Sequence, residues 1–219
     1  MDRLEVSNAR HEPFARLAAI THYGVHSYPG VLARAGEADS PVTSIDAFAA
    51  EAYCRYLGKR LPTDEEWTKA ARGGLIVDGQ PNPAPKRLFP WGTDWRPCAN
   101  VAGDADGYKW VAPVESFACG ASPYLVLNLA GNVQEWVAAS DSVSDADLRA
   151  VRSWISSTGQ TSDAELRVVR GGAPNSPLES EHATTVFRNP RAARYFDFSI
   201  GVRCVADADP KVGSTWRRH

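Results

Sequence analysis

Apolar residues recur at helical spacing near the N-terminus. The segment Leu4 to Ser7 has the composition of a short strand, and Asn8 can cap a first helix that passes through Phe14. Further along, Ser44 can cap a second helix that ends at Gly58. Its apolar residues fall on one stripe: Ile45, Phe48, Ala49, Ala52, Tyr53, Tyr56 and Leu57. The pattern predicts two amphipathic helices.

A third helix is predicted from its capping residues. Thr63 and Glu66 have the spacing of a capping box, in which each side chain accepts a hydrogen bond from the backbone of the other residue. Trp67 and Ala70 follow at helical spacing, and the pair Gly73 and Gly74 ends the pattern. We therefore expect a short helix with defined ends.

Hydrophobic periodicity is lost between residues 75 and 123, where Gly, Pro, Asn and Asp alternate with aromatic residues. Trp110 to Pro113 is the strand candidate within this stretch. Long irregular loops are uncommon in compact domains unless they are functional, or are held by something other than regular hydrogen bonding, such as an ion. The loop is therefore a place to look for metal ligands.

The second half of the chain adds two strand patterns. Residues Arg167 to Arg170 and Ile200 to Val205 alternate in the way strands do. Residues 143 to 165 form a polar, partly helical insertion, and the tail at 207–219 is expected to fray. The elements together indicate helices, a few short strands and much loop.

Composition limits the kinds of partner. The chain has 219 residues, of which 43% are hydrophobic, and seven tryptophans, enough for the core of one domain spanning 1–219. Its net charge of −2 provides no field of one sign to attract nucleic acid or anionic lipid. No apolar run could span a membrane, and the N-terminus does not resemble a signal peptide. We expect a cytoplasmic protein with no nucleic-acid or membrane partner.

The four cysteines are widely spaced, at Cys54, Cys98, Cys119 and Cys204. They form no C-x-x-C motif and no zinc-like cluster with histidine. Buried thiols are the expectation for a cytoplasmic chain, and a single disulfide between Cys98 and Cys119 is the alternative left open.

One long string resembles the signature of a known family. Residues Tyr53 to Trp67 read YCRYLGKRLPTDEEW, and Ala70 to Gly74 follow as AARGG. Further matching motifs occur in order along nearly the whole chain: Phe89 to Gly92, Ala99 to Val101, Ala112 to Val114, Ala130 to Trp136, Val169 to Gly172 and Gly201 to Cys204. The chain resembles the formylglycine-generating-enzyme family, also called sulfatase-modifying factors.

The resemblance implies an α+β fold of the C-type-lectin-like kind, in the variant of this family. That fold has two to three helices, a small twisted antiparallel sheet and extensive irregular loops, in agreement with the elements above. Family members usually carry a strand or two before the segment matching Leu4 to Asn8. We therefore expect either a domain that starts late or a piece of a longer protein.

The resemblance also implies two calcium sites. The first matches the side chains of Asn100 and Asp106 and the carbonyls of Val101 and Tyr108, an all-oxygen set that suits Ca²⁺. The alternative is that Asp104, Asp106 and Gly107 simply form a turn without metal. The second set lies in the motif at 130–136, and its matching residues are Asn132, Val133 and Glu135. Calcium is expected as a structural cofactor.

The catalytic cysteines of the family are missing. Active members bind copper(I) with two cysteine thiolates that follow a Gly-Gly-Ser segment, and oxidise a substrate cysteine to formylglycine. Here residues 171–182 read GGAPNSPLESEH, and Asn175 and Ser180 stand near the two positions, with Ser176 and Glu181 as the one-residue alternatives. None of these side chains supplies the soft sulfur ligand that copper(I) requires. Copper is not expected, and Cys204 is expected to be buried packing.

The same C-terminal segment lines the substrate groove in the family, so its residues are candidates for ligand contact. His182 with Glu181 is the nearest approach to an acid/base pair, and a solvated polar loop is the plainer interpretation. Arginine and aromatic residues, which dominate many binding interfaces, follow closely. The candidate ligand-binding residues are Asn175, Ser176, Glu179, Glu181, His182, Thr185, Arg188, Arg191, Tyr195 and Phe196.

Two main hypotheses follow. The first is a non-catalytic module that binds a peptide or protein ligand, as in domains fused to bacterial kinases, signalling or defence proteins, and in hypervariable receptors. The second is an enzyme of altered chemistry, such as an oxidase that does not use a copper and cysteine centre. A regulatory domain of a larger protein is the third alternative.

Overall fold

A computed structural model of the protein describes residues 1–21, 37–101, 106–138, 165–176 and 181–208. The predicted insertion at 143–165 therefore lies almost wholly outside the described residues, as does most of the predicted frayed tail at 207–219. The helices are α1 (Asn8–Thr21), α2 (Ala47–Tyr56) and α3 (Asp64–Arg72). None of the helices in the described part is long and apolar enough to cross a membrane.

The starts of α1 and α2 differ from prediction by one and two residues. Ser7, not Asn8, stands before α1, and its hydroxyl accepts from the backbone N–H of Arg10 at 3.4 Å. Asp46, not Ser44, caps α2, because its carboxylate accepts from the backbone N–H of Ala49 at 2.8 Å. Ser44 itself has a positive φ of 57° and cannot begin a helix in that conformation.

The capping box of α3 is present as predicted. The Thr63 hydroxyl accepts from the backbone N–H of Glu66 at 3.2 Å, and the Glu66 carboxylate accepts from the backbone N–H of Thr63 at 2.9 Å. Arg60 donates two further bonds of 2.7 Å to the same carboxylate. These bonds from Arg60 lower the pKa of Glu66 to about 2. Gly73 ends the helix in the left-handed conformation.

A four-stranded sheet forms the centre of the fold. Strands β1 (Ile76–Val77) and β2 (Gln80–Pro81) form a separate small hairpin. The strands of the central sheet are β3 (Gln134–Trp136), β4 (Leu166–Arg170), β5 (Asn189–Ala192) and β6 (Ile200–Gly201), and they lie in the order β5, β4, β3, β6. The pairs β3/β4 and β4/β5 are antiparallel, whereas β3 and β6 run parallel. The sheet is therefore mixed rather than wholly antiparallel.

The two faces of the sheet carry separate hydrophobic clusters. Successive strand residues point to opposite faces, so Trp136 and Val169 join the cluster that contains Tyr53 of α2, whereas Val168 joins that of Trp67 on α3. Each of these side chains is essentially fully buried. Helices α2 and α3 thus cover the sheet from the two sides.

The long loop is irregular, and the predicted strand at Trp110 to Pro113 is not formed. Its backbone is bonded to side chains instead: the Ala112 N–H donates to Asn132 Oδ1 at 2.8 Å, and the Trp110 carbonyl accepts from Asn100 Nδ2 at 2.6 Å. Asparagine side-chain amides thus satisfy backbone groups that a neighbouring strand would bond in a sheet. Short 3-10 turns lie at Ala118–Gly120 and Glu181–Ala183.

The expectation of buried free thiols is wrong, because all four cysteines are in disulfides. Cys54 of α2 bonds to Cys204 beyond β6, and Cys98 bonds to Cys119. The first pair is separated by 150 residues in sequence, and the fold brings the Cα atoms within 5.6 Å. That pairing depends on the packing of α2 against the C-terminal segment, which no local pattern shows. The second pair is the alternative that the sequence left open.

Candidate functional site

The first predicted calcium set lies in the irregular loop at 100–108, part of which is described. Asn100 is buried, and Asp106 Oδ1 accepts from the backbone N–H of Tyr108 at 2.8 Å, which is the local turn expected without metal. The other carboxylate oxygen, Asp106 Oδ2, is buried and has no hydrogen-bond partner among the described residues. A buried carboxylate oxygen without a donor suits a cation. Val101 is buried beside them, and residues 102–105 lie outside the described part.

The second predicted set is already occupied by protein groups. Both oxygens of Glu135 lie within 3.1 Å of nitrogens of Arg203, and Oε2 also accepts from the Trp67 indole at 2.9 Å. Asn132 Oδ1 accepts from Ala112, and Val133 is fully buried. A cation at Glu135 would have to displace the arginine. This set does not fit calcium as it stands.

The ion pair of Glu135 belongs to a buried network that reaches the N-terminal segment. Glu5 is fully buried and accepts from the side-chain amides of Asn128 and Asn132 at 2.9 Å each. The carboxyl groups of Glu5 and Glu135 therefore both lie near one arginine, Arg203. Burial, more than the nearby Glu135, raises the pKa of Glu5 to about 8. The network holds the loop at 128–135 against the chain start.

The segment that replaces the copper cysteines begins with a tight turn. Asn175 is exposed, whereas Ser176 is buried and its hydroxyl accepts from the backbone N–H of Ala173 at 3.0 Å. Glu179, another predicted ligand-contact residue, lies outside the described residues. Asn175 is thus the residue of this turn that is accessible to a ligand.

The predicted acid/base pair is not joined by a hydrogen bond in the part of the chain that is described. Glu181 is exposed, and its backbone carbonyl accepts from the Thr184 hydroxyl at 2.6 Å. His182 is half-buried with its ring against Phe187, at a centroid distance of 4.4 Å. Its Nδ1 is buried without a partner among the described residues. Among the described residues, the contact that holds the imidazole is its packing against Phe187.

Thr185 and Arg188 contact charged side chains of helix α3. Thr185 is fully buried, and its hydroxyl bonds to Arg72 and to the Arg87 carbonyl at 2.9 and 2.7 Å. Arg188 Nε lies 2.9 Å from the carboxylate of Asp64, which also pairs with the buried Arg170. Thr185 therefore supports the backbone and has no surface for a ligand. Asp64 is the residue that sequence reasoning missed, because a helix N-terminus accounts for an aspartate at that position.

The remaining predicted residues are arginine and aromatic side chains at 191–196, of which Arg191 and Tyr195 are in contact. The Arg191 guanidinium lies 5.6 Å from the ring centre of Tyr195, whose hydroxyl donates to Asp197 at 2.9 Å. Burial raises the pKa of Tyr195, and the hydrogen bond to Asp197 raises it further. Phe196 and Phe198 are each more than two-fifths exposed. We call Arg191, Tyr195, Phe196 and Phe198 the aromatic surface.

Copper(I) chemistry of the dithiolate type has no ligands in this chain. The sequence holds four cysteines, and each is paired in a disulfide. Both members of the Cys54 and Cys204 pair are fully buried. A copper(I) site built from two thiolates would need free sulfur at the segment 171–182, where the sequence has none.

Comparison with known proteins gives relatives of more than one activity. The chain is 39% identical over 121 residues to a Bos taurus protein named "Inactive C-alpha-formylglycine-generating enzyme 2", covering 51% of this chain and 37% of that protein. It is 37% identical over 103 residues to a "Hercynine oxygenase" of Mycolicibacterium smegmatis, covering 46% and 22%. The matched stretches thus span between about a fifth and two-fifths of these relatives.

Solved structures agree with the fold. The structure titled "Crystal Structure of CarF" superposes with a TM-score of 0.67 at 16% identity, covering 94% of this chain and 85% of that chain. At that identity the likeness shows the fold alone. Residues 1–208 match the family described as "Sulfatase-modifying factor enzyme 1-like domain". The chain belongs to this family.

Proposed function

We propose that the protein is a non-catalytic member of its family that binds a peptide or protein ligand through the aromatic surface. The observation that carries this proposal is the pairing of all four cysteines, combined with a segment at 171–182 that contains no sulfur. A family scaffold is retained around a centre that lacks the thiolates. The relative named as inactive supports the same interpretation.

The aromatic surface has the chemistry of a peptide-binding site. Exposed aromatic rings bury a large area on binding, and arginine donates hydrogen bonds in a fixed geometry. Arg191 is held against the ring of Tyr195, and Tyr195 is fixed by Asp197, so the surface is organised before a ligand arrives. A pre-ordered surface loses little side-chain entropy when a ligand binds.

The test is a peptide library displayed on phage and selected on the immobilised protein. Peptides that bind the wild type should lose about tenfold or more in affinity for Phe196→Ala, since buried aromatic residues are frequent hot spots. Leu75→Ala is the matched control, because Leu75 is also an exposed hydrophobic residue but lies beyond α3. Selected peptides that bind both variants equally well would count against the aromatic surface.

Calcium is proposed as a structural cofactor at the first set alone. Asn100 and Asp106 would hold it with carbonyls of the loop, and the ion would be a partner for Asp106 Oδ2, which has none among the described residues. Calcium should raise the melting temperature of the wild type, EDTA should reverse the rise, and Asp106→Asn should abolish it. Glu115→Gln, an exposed carboxylate in the same loop, is the control. No shift at millimolar calcium would reject the site.

An enzyme of altered chemistry is the second candidate. The buried Nδ1 of His182, which has no hydrogen-bond partner among the described residues, favours it, because histidine is a common general acid or base. The relative named "Hercynine oxygenase" shows that relatives with other activities exist. Oxygen consumption on candidate thiols and peptides, lost in His182→Phe, would support this alternative against the binding module. Two alternatives stay predictions: the chain is a regulatory domain of a larger signalling or defence protein, or it is a hypervariable receptor.

A further inference from the structure

A surface cavity has no residue of the aromatic surface in its lining. It is a wide depression, broadly open to solvent, with a volume of about 320 Å³. Its walls come from residues 77–96 and 119–123, and none comes from the segment 171–204 that carries the proposed peptide site. Three prolines, Val77 and the ring of Trp91 supply apolar wall, and Arg87 and Arg96 supply positive charge. No acidic side chain is among the described residues that line it.

Arg87 is fixed in the wall by neutral acceptors. It donates to the carbonyls of Ala84 and Pro90 at 3.0 and 3.3 Å, and to Asn82 Oδ1 at 2.7 Å. Asn82 is itself buried, and its amide group donates to two carbonyls at the end of α3 at 2.8 and 2.7 Å. The guanidinium is therefore held in place through Asn82 by the rigid helix.

The charge of Arg87 has no carboxylate to balance it within the cavity. Burial alone lowers the pKa of this arginine, which remains charged at any ordinary pH. Arg96 adds a second positive charge on an exposed side chain in the same wall. A partly buried cation without a counter-ion is unfavourable, so the cavity gains free energy when an anion binds.

Trp91 gives the cavity a rigid aromatic side. Its ring stacks on Phe89 at 5.2 Å, with 6° between the planes, and Trp95 packs edge-on at 5.7 Å. The disulfide of Cys98 and Cys119 fastens the opposite segment beside it. An apolar group that enters the cavity meets a surface already in position.

We propose that this cavity binds a small organic carboxylate, with the carboxylate group between Arg87 and Arg96 and an apolar body against Trp91 and the prolines. Guanidinium groups match carboxylates in geometry and charge. The volume lies at the lower end of the range of about 300–1,000 Å³ typical of ligand pockets, so the ligand is a small acid or the C-terminal residue of a polypeptide.

Phenylacetate is the first probe, and the neutral phenylacetamide is its matched control. Titration of each into the full chain is followed by calorimetry and by the NMR signal of the Trp91 indole N–H. Phenylacetate should bind saturably in the millimolar range and shift that signal, whereas phenylacetamide should not. A tripeptide ending in phenylalanine, with a free or an amidated C-terminus, tests whether the acid comes from a polypeptide end.

Arg96→Gln is the informative variant, because its side chain is exposed and the fold does not depend on it. The dissociation constant should rise about tenfold, the loss typical of one charge-assisted hydrogen bond. Arg55→Gln, an exposed arginine on α2, is the control and should bind as the wild type does.

Equal binding of acid and amide, absence of binding by both the small acid and the free-ended tripeptide, or unchanged affinity in Arg96→Gln would overturn the proposal. Binding of either acid with loss in the variant would support it and name its source. Phe196→Ala should leave phenylacetate binding unchanged, which separates this site from the proposed peptide site.

Discussion

The disulfide between Cys54 and Cys204 should contribute more to stability than the other disulfide. In the loop-closure description a cross-link stabilises a protein by restricting the unfolded chain, and the effect grows with the length of chain enclosed. The sequence separation of 150 residues between Cys54 and Cys204 predicts a stabilisation of about 5 kcal/mol. The separation of 21 residues between Cys98 and Cys119 predicts a stabilisation of about 3 kcal/mol. The difference between the two is therefore about 2 kcal/mol.

The assay compares two double variants with the wild type under oxidising conditions. Cys54→Ala with Cys204→Ala removes the long cross-link, and Cys98→Ala with Cys119→Ala removes the short one and acts as the control. Equilibrium unfolding in urea, followed by tryptophan fluorescence, gives the free energy of unfolding for each. Since Cys54 and Cys204 are fully buried, lost packing adds to the first effect.

Two results would refute this reasoning. One is a long-loop variant that loses no more stability than the short-loop variant. The other is alkylation of any cysteine when the wild type is denatured without reductant, because that would show free thiols. The second result would also remove the observation on which the non-catalytic proposal rests. The measurement therefore tests the fold and the proposed function together.

Further predictions concern buried polar groups and one glycine. Burial lowers the pKa of His11 to about 4, so stability should be lost as pH falls from 6.5 through 4, by at most about 3 kcal/mol, and His11→Phe should flatten that part of a melting-temperature profile against pH. The pKa of Glu5 is raised to about 8. The protonated carboxyl therefore contributes to the free energy of unfolding in full below pH 4.5, and this contribution is lost as pH rises through 8. Glu5→Gln should remove this loss in the same profile. Arg203→Met should cost about 3–5 kcal/mol in urea unfolding, because Glu135 is left buried without its partner; a loss under 1 kcal/mol would show that the pair is not buried in solution. Gly131→Ala should fail to fold well, measured by circular dichroism, because a Cβ would lie 2.3 Å from the Asn100 carbonyl oxygen, while Gly79→Ala, which meets no atom within 4 Å, shows the cost of positive φ alone.

Features that depend on contacts within a few residues along the chain were predicted best from the sequence. The capping box of Thr63 and Glu66 and the stop at Gly73 are local, and both are confirmed. The start of α2 was misplaced although it is local, because Ser44 and Asp46 are both good capping residues and the choice is made by backbone angles. The family and the fold class were predicted correctly, since the motifs extend over most of the chain.

What the sequence did not predict depends on partners far along the chain. Glu135 looked like a calcium ligand, but Arg203, 68 residues later, takes its oxygens. Cys54 looked like a buried thiol, but the fold places Cys204 beside it. Asp64 looked like an ordinary first residue of a helix, and its pairing with Arg170 and Arg188 appears only in three dimensions. In each case the missing information was tertiary.

The parallel pairing of β3 and β6 has a consequence for synthesis on the ribosome. The residues at 200–205 supply the neighbour of β3, the carbonyl of Val202 that accepts from the backbone N–H of Val6, and the partner of Cys54. A nascent chain that has not yet reached this segment has no β6 beside β3, and its N-terminal segment lacks the hydrogen bond from Val6 to Val202. Contacts between distant parts of a chain form slowly and expose unfinished surfaces to aggregation. We therefore expect folding of this domain to be completed after the segment 200–205 has left the ribosome.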